Sequence, residues 1–315
     1  MKAFAARLQR NRWTWSFAGA FLVWLITVVS AEGRGAGATL SAALGFAAFY
    51  VMAGMGQMLV VAAGPGNIDL SIPAVMTLAG YLAIGAMHGD PSMLWLGIII
   101  VLAVGGLVGL INVALIKIAR VPPMVATLSA GFIMQSITIA YSKTTTAKPP
   151  AILMQFALGR IVGIPWIAIV LILAAAILGL VMSRSVFGRD LLAVGQSERA
   201  AYLAGIPTRR ITTIVYVASS LLAAVTGLLL AAYSGGAALD MSSDFLLMSI
   251  AVVVIGGTSI TGGRVSAAGI WGGSLFLYLI STMLNVLGLG AGVRYALTGA
   301  IIIAVLALSE DRASV

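Results

Sequence analysis

The stretch MLWLGIIIVLAVGGLVGLINVALIK, residues 93–117, is almost wholly apolar and carries its only charge at its last position, Lys117. A helix of about 20 apolar residues is long enough to cross the ~30 Å hydrocarbon layer of a bilayer. Similar runs recur along the chain of 315 residues, which is 61% hydrophobic and 9% charged, whereas soluble domains carry about 25% charged residues. The length of the runs favours helices over the ~10-residue alternating strands of a barrel. The sequence therefore predicts an all-α polytopic membrane protein.

The apolar runs predict about ten transmembrane helices within one membrane domain, residues 15–308. The third and eighth runs are glycine-rich or short, so eight spans are also open if one such segment is re-entrant. A short basic N-terminus, residues 1–14, precedes the domain, and a tail, residues 309–315, follows it. The N-terminus also resembles a signal peptide, but the absence of a soluble domain after it favours a retained first span. The predicted spans are residues 15–31, 41–62, 71–88, 93–117, 124–141, 163–182, 211–233, 245–258, 266–284 and 291–308.

The basic residues lie at the ends of the apolar runs, which is typical of signals for membrane orientation. An orientation with both termini in the cytoplasm places 13 of the 18 basic residues inside, as the positive-inside rule requires. The inner residues are Lys2, Arg7, Arg10, Arg12, Lys117, Arg120, Arg184, Arg189, Arg199, Arg209, Arg210, Arg264 and Arg312; the outer residues are Arg34, Lys143, Lys148, Arg160 and Arg294. Two connections are long: residues 142–165 outside, with a short surface helix expected near 152–158, and residues 183–210 inside.

The inner connection contains a short, well-delimited helix. Ser197 is a good N-cap, Glu198 lies at the positive end of the helix dipole, and Gly205 suits a left-handed C-terminal position. Pro207 prevents the helix from continuing. The residues expected on its surface are mostly small: Ala200, Ala201, Tyr202 and Ala204. Small residues let another protein approach closely, so the helix is either a lever gripped by a partner or an ordinary amphipathic helix resting on lipid headgroups.

Residues 198–205 resemble the Glu-Ala-Ala loop by which ABC importer permeases dock on their ATPase subunit, although Arg199 replaces the first alanine. The longer segment GRDLLAVGQSERAAYLAGIPTRRI (188–211) resembles the coupling segment of the ribose-type, monosaccharide-importing permeases. GNIDLSIPAVMTLAG (66–80) and VVVIGGTSITGGRVSAAGIWGGSLF (252–276) resemble two further segments of that branch. The branch belongs to a binding-protein-dependent transport family that also includes branched-chain amino acid permeases. Pro73 departs from the pattern, where a small residue or glycine is expected; this departure is expected to affect the start of the third span and not the class of protein.

The resemblance implies a transport subunit of the bacterial inner membrane and not an enzyme. Its implied partners are an ABC ATPase subunit that binds ATP and Mg, a periplasmic solute-binding protein, and a second permease chain, identical or different, within the lipid membrane. No cofactor, metal or nucleic acid is expected on this chain itself. The residues implied in ATPase coupling are Gly195, Ser197, Glu198, Arg199, Ala200, Ala201, Gly205 and Pro207.

Polar residues within or beside the spans are candidates for a gate or pathway. Buried amides in membrane helices face neighbouring helices or a water path. Each candidate therefore either forms hydrogen bonds between helices or lines a path for a polyhydroxylated solute. Asp69 follows a Pro65–Gly66 break; it either lines a gate at a broken helix or caps the start of the third span, with Ser71 nearby. The pathway candidates are Gln57, Asn67, Asp69, Asn112, Gln135 and Asn285.

The glycine-rich stretch GGTSITGGR, residues 256–264, superficially resembles a phosphate-binding loop. It lacks the required Gly-Lys-Ser/Thr ending, so we expect a tight glycine turn between two spans, with Arg264 at the inner face. Contact with the ATPase or with the coupling helix is the second interpretation. The turn residues are Gly256, Gly257, Gly262, Gly263 and Arg264.

Other function classes lack their residues in this sequence. The chain has no cysteine and one histidine, His88, and it shows no catalytic triad, carboxylate pair or metal-ligand cluster. Its basic residues lack the clustering with aromatics that nucleic-acid binding uses. An ATP-independent secondary transporter or channel is the alternative function, but it requires coupling-ion sites or a selectivity ring, and neither is evident. The sequence does not distinguish among pentose, hexose, polyol and sugar-derived signal as the solute.

Overall fold

A computed structural model describes residues 13–33, 35–143 and 147–310. The basic N-terminal residues 1–12, Arg34 and the tail 311–315 with Arg312 lie outside the described residues. Within them the chain forms thirteen α-helices and one two-stranded hairpin. The helices are α1 (Trp13–Ser30), α2 (Ala36–Ala62), α3 (Ile72–Met87), α4 (Leu94–Lys117), α5 (Pro123–Ser142), α6 (Ala151–Leu158), α7 (Trp166–Arg184), α8 (Val186–Gln196), α9 (Glu198–Leu203), α10 (Thr208–Tyr233), α11 (Phe245–Ile255), α12 (Ala267–Val286) and α13 (Ala291–Glu310).

Each of the ten predicted spans overlaps one of these helices. Among the described residues, seven helices are long and apolar enough to cross a membrane, and α3 and α11 are shorter apolar helices. The sequence therefore correctly predicted a mostly helical, multi-pass membrane protein. The span count of ten or eight and the cytoplasmic placement of the termini stay predictions.

Helices α2 and α10 form the centre of the molecule. The most apolar window of α2 is 89% buried, whereas that of the 91–117 segment, which includes α4, is only 28% buried. Helix α10 packs against α2, α3 and α4, and α12 packs against α1 and α2. Gly105 and Gly109 of α4 lie directly against the backbone of α10, the close approach that small residues permit between membrane helices. The outer faces of α4, α5 and α7 expose large apolar residues such as Ile99, Phe132 and Ile177, as a lipid-facing surface requires.

Loops that the charge pattern assigns to the same side contact one another. On one side Lys117, at the end of α4, forms an ion pair with Glu198, at the start of α9 (2.6 Å). On the other side the Ser41 hydroxyl donates to the carbonyl oxygen of Gly163. These contacts support the alternation of spans.

The long outer connection contains the surface helix expected near residues 152–158, which is α6. A small antiparallel hairpin follows, in which β1 (Arg160–Ile161) pairs with β2 (Ile164–Pro165). The long inner connection has more helix than the sequence indicated, because α8 precedes the expected short helix α9. The Ser185 hydroxyl caps α8 by accepting from Gly188 N at 3.0 Å.

Candidate coupling and pathway site

The short helix α9 has the local structure that the sequence predicted. The Ser197 hydroxyl accepts from Ala200 N at 3.2 Å, which caps the helix start. Gly205 has a φ of 84°, a left-handed conformation that glycine adopts without a steric penalty. Pro207 directly precedes α10. The helix is therefore a rigid turn joined closely to α8 and α10.

The exposed face of α9 differs from the small-residue face that the sequence indicated. Ala201 is buried, with 4% of its surface exposed, because it lies on the side of the helix that faces the protein. Tyr202 and Leu203 are 69% and 77% exposed, and Arg199 and Ala200 are also exposed. The exposed surface of α9 thus has a tyrosine and a leucine at its end, and Ala201 is not part of it.

Gly195, at the end of α8, is also buried away from this surface. A Cβ atom at Gly195 would overlap the Ala62 carbonyl oxygen and the Gly263 backbone nitrogen. A Cβ atom at Gly262 would lie 2.5 Å from Gly64 Cα. Gly64, Gly195, Gly262 and Gly263 therefore form one contact, which we call the glycine junction. It joins the coupling segment to the two irregular segments of the fold: the first break, residues 63–71, and the second break, residues 256–266.

The second break is the glycine turn that the sequence predicted. Gly257, Gly262 and Gly263 all have positive φ, and Arg264 is exposed. Gly263 N donates to the Ala62 carbonyl oxygen at 3.2 Å, and Gly256 packs against the backbone of Gly269. The turn thus contacts the end of α8, next to the coupling helix; contact with the coupling helix itself or with the ATPase stays a prediction.

The first break contains a buried hydrogen-bond network centred on Asp69. Asp69 Oδ1 accepts from the backbone nitrogen (3.0 Å) and hydroxyl (2.5 Å) of Ser71, and Oδ2 accepts from the Ser219 hydroxyl of α10 (2.7 Å). Asn112 Nδ2 of α4 donates to the Ser71 hydroxyl at 2.9 Å. Gln57 Oε1 of α2 accepts from Asp69 N at 3.3 Å. We call these five residues the Asp69 network; each is at most 1% exposed.

Further polar contacts fix both sides of the network. Tyr216 of α10 donates through its hydroxyl to Asn67 Oδ1 at 3.0 Å. Thr127 of α5 accepts from Leu70 N at 3.0 Å and donates to the Ile68 carbonyl oxygen at 3.2 Å. The break is thereby held by α2, α4, α5 and α10, which supplies the partners that irregular backbone at membrane depth needs. Asp69 caps the turn before α3, as the capping interpretation predicts, and links that turn to α10; its role at a gate stays a prediction.

Two amide atoms of the network are buried without a hydrogen-bond partner among the described residues: Gln57 Nε2 and Asn112 Oδ1. A buried polar atom without a partner costs about 1–3 kcal/mol. The network is therefore not fully satisfied in this conformation, which leaves room for an exchange of partners.

The structure brings together four of the six pathway candidates: Gln57, Asn67, Asp69 and Asn112. Gln135 lies elsewhere, exposed on α5 at a cleft of about 260 Å³ between α3, α5 and the loop before α11. Asn285 is exposed near the end of α12, where its Nδ2 donates to the Ser281 carbonyl oxygen. The expectation of one shared cluster therefore does not extend to Gln135 or Asn285.

Ser219 and Thr127, which hold the first break from two other helices, are functional candidates that the sequence did not predict. Both are hydroxyl residues inside apolar runs. This pattern does not identify them, because hydroxyls that bond only within their own helix show it too. Thr226 is such a case, since it donates to the Leu222 carbonyl oxygen four residues earlier.

Comparison with known proteins agrees with this architecture. Residues 39–306 match the family described as branched-chain amino acid transport system / permease component. The chain is 30% identical to the fructose import permease protein of Bifidobacterium longum, over 98% of this chain and 90% of that protein. It is 30% identical to the ribose import permease protein of Bacillus subtilis, over 79% of this chain and 78% of that protein.

A third relative is the autoinducer 2 import system permease protein of Photorhabdus temperata, at 29% identity over 76% of this chain and 73% of that protein. No solved structure matches the chain. The family match covers most of the chain and includes the coupling segment, both breaks and the Asp69 network. The chain therefore belongs to the family of transport-system permease components that the sequence resemblance indicated.

Proposed function

We propose that this chain is the membrane-spanning permease subunit of an ABC importer that carries a sugar or related polyol across the bacterial inner membrane. The observation that carries the proposal is the 30% identity to a fructose import permease over nearly the whole chain. The similarity to ribose and autoinducer 2 import permeases supports the same class of solute. ATP and Mg bind to a separate ATPase subunit, a periplasmic binding protein delivers the solute, and a second permease chain completes the pathway.

The exposed end of α9 is the docking point for the ATPase in this proposal. Tyr202 and Leu203 expose apolar surface on a connection that the charge pattern places in the cytoplasm. Exposed aromatic and aliphatic residues of this kind act as anchors when they enter a pocket on a partner. The Lys117–Glu198 ion pair holds the other end of α9 against α4.

The glycine junction carries the movement from α9 and α8 into the membrane domain. The junction is a contact between backbone atoms, so no flexible side chain separates the segments. A displacement of α8 therefore displaces the two breaks. The first break then shifts the Asp69 network, whose unpaired amide atoms can take new partners. The ATPase can shift the permease from one conformation to the other only to the extent that it binds one of them more tightly.

The test is retention of the ATPase by purified permease. Leu203→Asp places a charge on the proposed docking surface, and Val162→Asp makes the same change at a residue that is 96% exposed in the outer hairpin. We expect the parent chain and V162D to co-purify with a co-expressed ATPase subunit and L203D to lose it. Equal retention by L203D would contradict docking through α9. If the parent retains no ATPase and purified chain alone moves labelled fructose or ribose into vesicles, the ATP-independent alternative replaces the proposal.

A further inference from the structure

We infer that the cleft between α3, α5 and the loop before α11 is a water-filled contact site for the hydroxyl groups of the transported solute. This inference rests on the proposed function and adds the residues that touch the solute. The cleft has a volume of about 260 Å³, just below the range of about 300–1,000 Å³ that holds drug-sized ligands. Its size therefore suits a small solute such as a monosaccharide.

The position of Gln135 is the first argument for water in the cleft. Gln135 lies about two turns from the predicted outer end of α5, and its side chain is exposed. None of the hydrogen bonds among the described residues uses its amide. An exposed, unpaired amide at the depth of a membrane span is unfavourable against lipid, so it faces water or a polar ligand.

The chemistry around Gln135 is the second argument. Thr77 and Ser242 line the cleft and share a hydrogen bond in its wall, and Ser242 also donates to the Pro73 carbonyl oxygen at 2.7 Å. Ser243 adds an exposed hydroxyl to the lining. Phe132, one turn before Gln135 in α5, is 61% exposed at the same cleft. An amide, hydroxyls and a flat apolar ring are the groups that match the hydroxyls and the C–H face of a sugar ring.

The connection to the first break is the third argument. Leu70 and Pro73 line the cleft, and they stand on either side of Ser71, a member of the Asp69 network. A change of partners in that network therefore alters the wall of the cleft. Such a coupling is what a permease needs to release solute when its ATPase acts.

Single-cysteine labelling tests this inference, because the chain has no cysteine of its own. The variants are Q135C and S243C in the cleft, with S136C as the control, since Ser136 is exposed on the same helix but does not line the cleft. Each is assembled with the ATPase and binding protein in vesicles and treated with a hydrophilic, thiol-specific reagent. The thiolate is the reactive form, and apolar surroundings raise the thiol pKa, so a cysteine in contact with water reacts faster than one that faces lipid.

We expect Q135C and S243C to react roughly tenfold faster than S136C, and the sugar that the parent complex takes up, ribose or fructose, to slow them several-fold. Slow labelling of both cleft variants would overturn the inference, because the cleft would then be closed by lipid or by a second permease chain. Fast labelling that the transported sugar leaves unchanged would overturn the contact with solute. Failure of the parent complex to take up either sugar counts against the proposed function, while the difference between Q135C and S136C still decides whether the cleft holds water.

Discussion

The two breaks of the membrane domain follow similar sequences but are stabilised in different ways. Each comes after an apolar helix and precedes a helix rich in small residues, and the two meet at the glycine junction. The first break is held by side chains, since Asp69 alone accepts three hydrogen bonds. The second break is held by its backbone, with glycines at positive φ packed against other backbone atoms.

This difference predicts different roles for the two segments. Backbone contacts between glycines leave no alternative arrangement, so the second break suits the transmission of a displacement. A network of hydroxyl, amide and carboxylate groups can exchange partners at similar cost, so the first break suits a change of state. Substitutions should therefore affect the second break through sterics and the first break through hydrogen bonding.

The largest effect is expected at the second break, from Gly262→Val. Valine at a φ of 84° is strained, and its Cβ would lie 2.5 Å from Gly64 Cα. Strain and overpacking together should lower the free energy of unfolding by about 4 kcal/mol, as measured by denaturant titration in detergent.

Gly205→Val is the control for this effect. Gly205 has the same φ, but a Cβ there would meet no atom within 4 Å, so only the strain of about 1–2 kcal/mol remains. Equal losses for the two variants would show that close contact at the glycine junction contributes nothing.

The next effect is expected at the first break, from Asp69→Ala. The substitution leaves the Ser71 amide, the Ser71 hydroxyl and the Ser219 hydroxyl without their acceptor. We expect a loss of about 3 kcal/mol in the free energy of unfolding. Asp69→Asn keeps one carbonyl acceptor and should lose only about 1 kcal/mol. Equal losses for D69A and D69N would indicate that the negative charge, and not the hydrogen bonds, stabilises the break.

The sequence predicted the helices well because their signal is local. Apolar runs give the spans directly, and the caps at Ser197 and Gly205 depend on residues within one or two turns. Helix α8 was not predicted, although its sequence, VFGRDLLAVGQ, is amphipathic and carries a helical signal. Leu191 and Val194 are spaced as neighbours on one helix face, and both are buried.

The assembly of the site depends on contacts that no local pattern encodes. Gln57, Asp69 and Asn112 were recognised as polar residues in unusual places, but their meeting with Ser219 depends on the crossing of α2, α4 and α10. The burial of Ala201 was missed for another reason. A helix of six residues is too short for its periodicity to define a buried face.

A smaller effect separates two adjacent serines of α10 that are both fully buried. Ser219→Ala removes a donor to Asp69 and should lower the free energy of unfolding by about 1 kcal/mol. Ser220→Ala removes a hydroxyl that has no hydrogen-bond partner among the described residues, so it should be neutral or slightly stabilising. The same denaturant titration measures both. A greater loss of stability for S220A than for S219A would mean that the Ser220 hydroxyl has a hydrogen-bond partner, such as water, outside the first break.

The smallest effect is expected at Ser259 of the second break, and Ser71 of the first break is its comparison. Ser259 of the second break shares a hydrogen bond with Thr261 in an exposed position, so Ser259→Ala should change the free energy of unfolding by less than about 0.5 kcal/mol. Ser71 of the first break donates to Asp69 and accepts from Asn112, so Ser71→Ala should cost about 2 kcal/mol. Uptake of labelled sugar by the assembled transporter should follow the same order, because only Ser71 belongs to the network that changes partners. Similar losses of stability and uptake in both variants would remove the distinction between a break held by side chains and a break held by its backbone.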